Sequence, residues 1–404
     1  MRLEKFKVKS NKKLGIIIFT ICCVVLIAGV YFYSSFAIYE QNQNFDIING
    51  TVEDPGDLYF AFYVDDEISK TMPSKDSGYT LDTEKSFCTN GAIPSLNQEN
   101  WSIKVNNLTT TYTKCTLYFK KYIPTAVETI LAMGETDELK YDGTNDNNLR
   151  YVGVDPNNYV SFNNELWRII GVMNNIDDGT GKLESRLKLV RSENYSSDLA
   201  WDTNNSADWS KASLNTELNT NYFNSISSPY QEMIGNAVWN LGAVVDRFSS
   251  TSHTSEIENL PVNQWYASER GTDTYGDNPT SWLGKLALVY SSDIGYATSG
   301  GTTGRDTCLN KSLFANVWSD STDCHTNDWL FLTNNMQWTL TPCHYITASD
   351  NHYMYVFVQF ANGLGEGSVT QTVGVSIYPA FYLVSSVKII DGTGSKNDPY
   401  IFEL

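Results

Sequence analysis

Tyr159-Val-Ser-Phe-Asn-Asn-Glu-Leu-Trp-Arg-Ile-Ile-Gly-Val-Met173 reads as two alternating apolar runs hinged at Asn163-Asn164. β-Branched and aromatic residues fill both runs, and Asn tolerates the positive φ of a two-residue turn, so the stretch predicts a β-hairpin. Downstream, Asp177-Asp-Gly-Thr-Gly181 turns the chain into a third strand, Leu187-Lys-Leu-Val190. Two helices follow. Asp208 caps the first, with Ala212, Leu214, Leu218 and Tyr222 on one face. The second starts at Ser228-Pro229, with Ser228 and Gln231 as a capping box, Met233, Ile234, Ala237, Val238 and Leu241 as its stripe, and Gly242 as its stop.

Thr251 to Ser281 and Asp293 to Asn335 read as long polar loops flanking a buried strand at Leu286 to Tyr290. Closing strands are expected at Gln337–Leu340, Met354–Val358, Val373–Ile377, Phe381–Ile389 and Tyr400–Phe402. Residues 149–404 thus form an α+β domain.

Upstream, residues 51–122 alternate in short runs separated by Ser77-Gly78, Asn90-Gly91 and Asn106-Asn107, which predicts an all-β sandwich module. Leu58, Phe60, Phe62 and Val64 share one face of its first strand. A short helix and an acidic linker occupy residues 123–148, and a polar stalk spans 38–50. Residues 14–37 contain Leu14 to Tyr33, twenty uncharged residues. As a helix they reach about 30 Å, one hydrocarbon thickness. Residues 1–13 carry Arg2, Lys5, Lys7, Lys9, Lys12 and Lys13 against Glu4, the flank kept on the cytoplasmic side. The expected arrangement is a single-pass transmembrane helix with an extracellular C-terminus, or a secreted chain if the segment is cut after Ala37.

Removing that flank's six basic and one acidic residue from the totals of 28 and 46 leaves 22 and 45, a net charge near −23. Such a field excludes nucleic acid as a partner. Export permits disulfides, and the spacing favours Cys88 with Cys115 and Cys308 with Cys324, leaving Cys343 free.

The run of hairpin, helices, buried strand, long loops and return strand resembles the bacterial C-type-lectin-like domain of surface proteins from low-GC Gram-positive bacteria. The carrying residues are Phe162 to Val172, Trp282 to Leu288, Trp338-Thr-Leu-Thr-Pro342, Val375 to Leu383 and Asp391-Gly-Thr-Gly-Ser395. The resemblance implies paired first and last strands, flanking helices, and long loops as the binding face. It also implies a noncatalytic binding or adhesion role, with a glycan or protein as ligand. An oxidase of the formylglycine-generating type and a ligand-free surface protein are the alternatives. Neither the Glu-Pro-Asn nor the Trp-Asn-Asp triplet that sugar-binding members set around calcium is present, so no cofactor is expected.

Thr339-Leu-Thr-Pro-Cys343 approaches a sortase nucleophile motif, but no Arg follows it to hold an oxyanion. No metal site is expected either: His344 and His352, eight apart, are the only histidines at ligand-like spacing, and the alternating Asp202, Asn204, Ser206 and Asp208 lack the Gly and Glu of an EF-hand loop. The candidate binding residues are Trp265, Tyr266, Trp318 and Trp329, aromatic rings set in polar loops.

Overall fold

The structure is a computed structural model and describes residues 58–108, 112–249, 254–315, 317–372 and 374–404. The expected membrane segment Leu14 to Tyr33, the stalk and the first residues of the sandwich module lie outside the described residues. Among the described residues no helix is long and apolar enough to cross a membrane. The chain divides into two units, Met1–Ile123 and Pro124–Leu404.

In the first unit, strand β1 (Leu58–Val64) pairs in parallel with β2 (Thr113–Lys121), from Leu58 opposite Thr113 to Val64 opposite Phe119. Tyr79–Leu81 and Phe87–Cys88 add antiparallel to β2, and a separate hairpin joins Ile93–Asn97 to Ser102–Asn106. The period-two pattern decides what is buried: Phe62, Leu117 and Phe119 enter a core with Ile103 and Val105 from the hairpin. Tyr63 and Tyr118 stack across the opposite face with centroids 4.7 Å apart. The Cys88–Cys115 disulfide is formed between directly opposed residues.

The second unit contains, in chain order, α1 (Ala126–Met133), β3 (Leu149–Tyr151), β4 (Tyr159–Phe162), β5 (Glu165–Asp177), β6 (Leu183–Arg191), β7 (Val244–Ser249), α2 (Val262–Glu269), α3 (Ser291–Tyr296), β8 (Met336–Ile346), β9 (His352–Phe360), β10 (Gly363–Gly367), β11 (Ala380–Tyr382) and β12 (Tyr400–Glu403). The opening hairpin is present: Phe162 pairs with Glu165, and Asn163 and Asn164 take φ of 52° and 60°, as a type I′ turn needs. One sheet runs β11-β6-β5-β4-β12, with β3 also on β5. β4, near the start of the unit, lies parallel to the final strand, Val160 opposite Tyr400. The other sheet runs β7-β8-β9-β10. One continuous core fills the unit, with Trp167, Trp201, Trp239, Trp265 and Trp338 fully buried.

Three expectations are corrected. The acidic stretch 135–148 after the expected helix is not a solvated linker: from Pro124 onward the chain belongs to the second unit. α1 carries a Thr125–Glu128 capping box and buries Ala126 and Ile130, and Asp142 and Asn148 are 5% and 1% exposed. The second expected helix is short, Ser228–Met233, capped by Ser227 without a box because Gln231 donates instead to Phe223 O and Ile226 O. Its supposed stripe continues as a strand, Ala237–Asn240, paired with Ser281–Gly284. Finally, the polar stretch from Thr251 to Ser281 contains α2, whose Val262, Trp265, Tyr266 and Glu269 are buried at i, i+3, i+4 and i+7.

Gly171 permits β3 to close on β5, since a Cβ there would lie 2.3 Å from Leu149 O. Gly171→Ala should therefore lower unfolding free energy by about 1–3 kcal/mol, the cost of overpacking a filled interior. Urea titration followed by tryptophan fluorescence measures it.

Candidate functional site

Four charges lie in a row inside the second unit. Arg150 on β3 donates from Nε to Asp142 Oδ2 at 2.9 Å and from Nη1 to Asp293 Oδ1 at 2.7 Å. Lys188 on β6 donates to Asp293 Oδ2 at 2.5 Å, and all four side chains are at most 1% exposed. Asp293 also accepts the Tyr290 N–H, which fixes the first turn of α3. Burial opposes charge on Asp293, yet Lys188 and Arg150 together hold its carboxyl well below the usual range. Burial pulls the Lys188 ammonium down to about 8 against the attraction of Asp293. The rings of Tyr290, Trp239 and Tyr382 stand 4.3, 5.2 and 5.6 Å from that ammonium, a cation–π cage in place of water.

Above this row opens a cavity of about 350 Å³, lined by Asp146, Asn174, Asp177, Asn240 and Arg270 around the rings of Tyr266 and Tyr382. Asn148 ties the cavity to the ion row: its amide donates to Asp142 Oδ2 at 2.8 Å and to Tyr266 Oη at 3.0 Å, while its Oδ1 accepts the Asn174 N–H at 2.8 Å. Tyr266 donates to Asp146 Oδ2, and burial raises its phenol to about 12, so it stays a neutral donor. The Arg270 guanidinium carbon lies over the Tyr266 ring, 3.3 Å from the centroid. Its nearest carboxylate oxygens, on Asp146 and Glu269, are both 3.6 Å away, beyond hydrogen-bond range, so donors remain for a ligand.

A second buried constellation links β7 and β10 of the other sheet. Asp246 on β7 accepts the Ser255 hydroxyl and shares a hydrogen bond with the carboxyl of Glu366 on β10. Burial, then the hydrogen bond to Asp246, raises Glu366 to about 7. The Cys343 thiol nearby is fully buried, and burial pushes its pKa well up. It is thus no ready nucleophile.

The four aromatic residues expected at a contact face are all buried. Trp265 is 0%, Tyr266 5%, Trp318 1% and Trp329 8% exposed. Trp265 meets Phe357 edge-on, and Trp329 donates to Tyr151 O beneath the Arg168 guanidinium. Burying so much ring surface outweighs display, and Tyr266 is the one of the four that lines the cavity. The Cys308–Cys324 disulfide is formed. Asp202 spends its oxygens on the N–H groups of Asn204, Ser206 and Ser213, so the alternating acids and amides there are turn caps. Among the described residues no three His, Cys, Asp or Glu gather as metal ligands. Arg150, Lys188, Asp293, Arg270, Asp246 and Glu366 carry little mark in the sequence beyond a lone charge inside an apolar run, as in Leu187-Lys-Leu-Val190.

No family model matches the chain, and neither the curated proteins nor the solved structures contain a match.

Asp293→Asn leaves two buried cations short of a partner and should cost about 3–5 kcal/mol in chemical denaturation. For Glu366 the folded pKa, about 7, exceeds the unfolded value of 4.5. Its contribution is full below the unfolded value and is lost as pH rises through about 7. Glu366→Gln should flatten that segment of the stability–pH curve, read as the change in urea midpoint between acidic and mildly alkaline buffer.

Proposed function

We propose that this chain is a noncatalytic binding protein of the bacterial cell surface, held by Leu14 to Tyr33 with its two units outside the cell, or released if the segment is cut after Ala37. In this reading the second unit is lectin-like, and the cavity around Arg270 and Tyr266 takes a neutral glycan unit. One observation carries the reading: a polar cavity of sugar size whose donors and acceptors are held in place from behind by the buried ion row. Asp146 and Asp177 accept from vicinal hydroxyls, Asn240 both gives and accepts, and Arg270 donates. Two acids against one Arg disfavour an anionic ligand. The first unit serves as a spacer. The oxidase alternative has no observation in its favour, with Cys308 and Cys324 joined and Cys343 buried.

Saturation-transfer NMR with a panel of neutral mono- and disaccharides tests the assignment. At least one should bind saturably, and Arg270→Ala should weaken it about tenfold or more, the worth of a charge-assisted hydrogen bond. A panel without a binder, or a binder indifferent to Arg270, defeats the reading.

A further inference from the structure

His344 and His352 stand eight residues apart in sequence, and the antiparallel pairing of β8 with β9 puts them on one face, with His344 opposite Met354 and His352 opposite Ile346. His344 Nε2 lies 2.8 Å from His352 Nδ1. Two ring nitrogens cannot both carry protons at that separation, so at least one lone pair points at its neighbour. We propose that this histidine pair binds a first-row divalent cation such as Zn²⁺, through His344 Nε2 and His352 Nδ1.

The surroundings fit imidazole ligation. Asp350 Oδ1 is 3.6 Å from His352 Nε2, on the far side of the ring from His344. A carboxylate behind a ligating imidazole is the usual outer partner of such sites. Tyr275 closes one side, edge-on to His344 at 5.7 Å, and the His352 side chain is 43% exposed, which leaves a way in for the ion. Two nitrogens about 2.0–2.1 Å from a tetrahedral ion sit roughly 3.3 Å apart. The rings therefore need to open by about half an ångström and to turn until both lone pairs converge on the ion. With no third His, Cys, Asp or Glu gathered among the described residues, water fills the remaining positions, and the site stays open to a further ligand.

The test uses the full-length chain, stripped with chelator and held in detergent, titrated with Zn²⁺ by calorimetry and with Co²⁺ by visible absorption. One equivalent should bind to the wild type and to neither His344→Ala nor His352→Ala, each checked for native circular dichroism. His352→Gln, which keeps hydrogen-bonding capacity without an imidazole, should behave as the Ala variant, and Asp350→Asn should weaken binding about tenfold. No saturable binding by the folded wild type, or an equivalent still bound by a His variant, overturns the site and leaves a plain cross-strand hydrogen bond.

Discussion

The row Asp142–Arg150–Asp293–Lys188 is the interaction on which the second unit's arrangement depends. Its members come from four separate places: a turn, β3, β6 and the first turn of α3. Ions at this depth are tolerable only when every partner is present, so the row admits one placement of those segments and penalises others. Packing alone is more forgiving, since apolar residues of similar volume replace one another at small cost. α2 inherits the placement through Tyr266, whose ring meets Tyr296 of α3 edge-on at 6.0 Å. The cavity walls are therefore built outward from a fixed electrostatic centre.

Local physics was readable in the residues. The hairpin at Asn163-Asn164 needs only period two and two residues that accept positive φ, and both are visible without tertiary knowledge. The disulfides followed from spacing within a module and within a loop. Non-local physics was not readable. Lys188 between Leu187 and Leu189 looks like the wet side of an alternating strand, but here Leu187, Lys188 and Leu189 are all buried, and what covers them lies a hundred residues away. Ala237, Val238 and Leu241 suit a helical stripe as well as a strand, and pairing with Trp282 decided the matter. α2 has eight residues, too few for its apolar period to stand out from Thr, Asp and Ser on either side.

The same cause explains the tryptophans. Polar neighbours in sequence suggested display at a surface, yet Trp265 and Trp318 are anchors that pin their segments to the body. Polarity of a stretch reports on the outer half of its residues, and the inner half is free to be aromatic. What reaches the cavity is a smaller set of mid-sized polar groups, held by second contacts behind them.

The parallel pairing of β1 with β2 gives the first unit a mechanical character. Among the described residues of the unit these are the first and last strands, side by side and running the same way over seven paired residues. A pull applied at the two ends of the unit drags the neighbouring strands past one another along their length. The hydrogen bonds between them then share the load together instead of opening one at a time as in a zipper. A tether attached upstream and a load attached downstream would find in this small sheet a shear-resistant link.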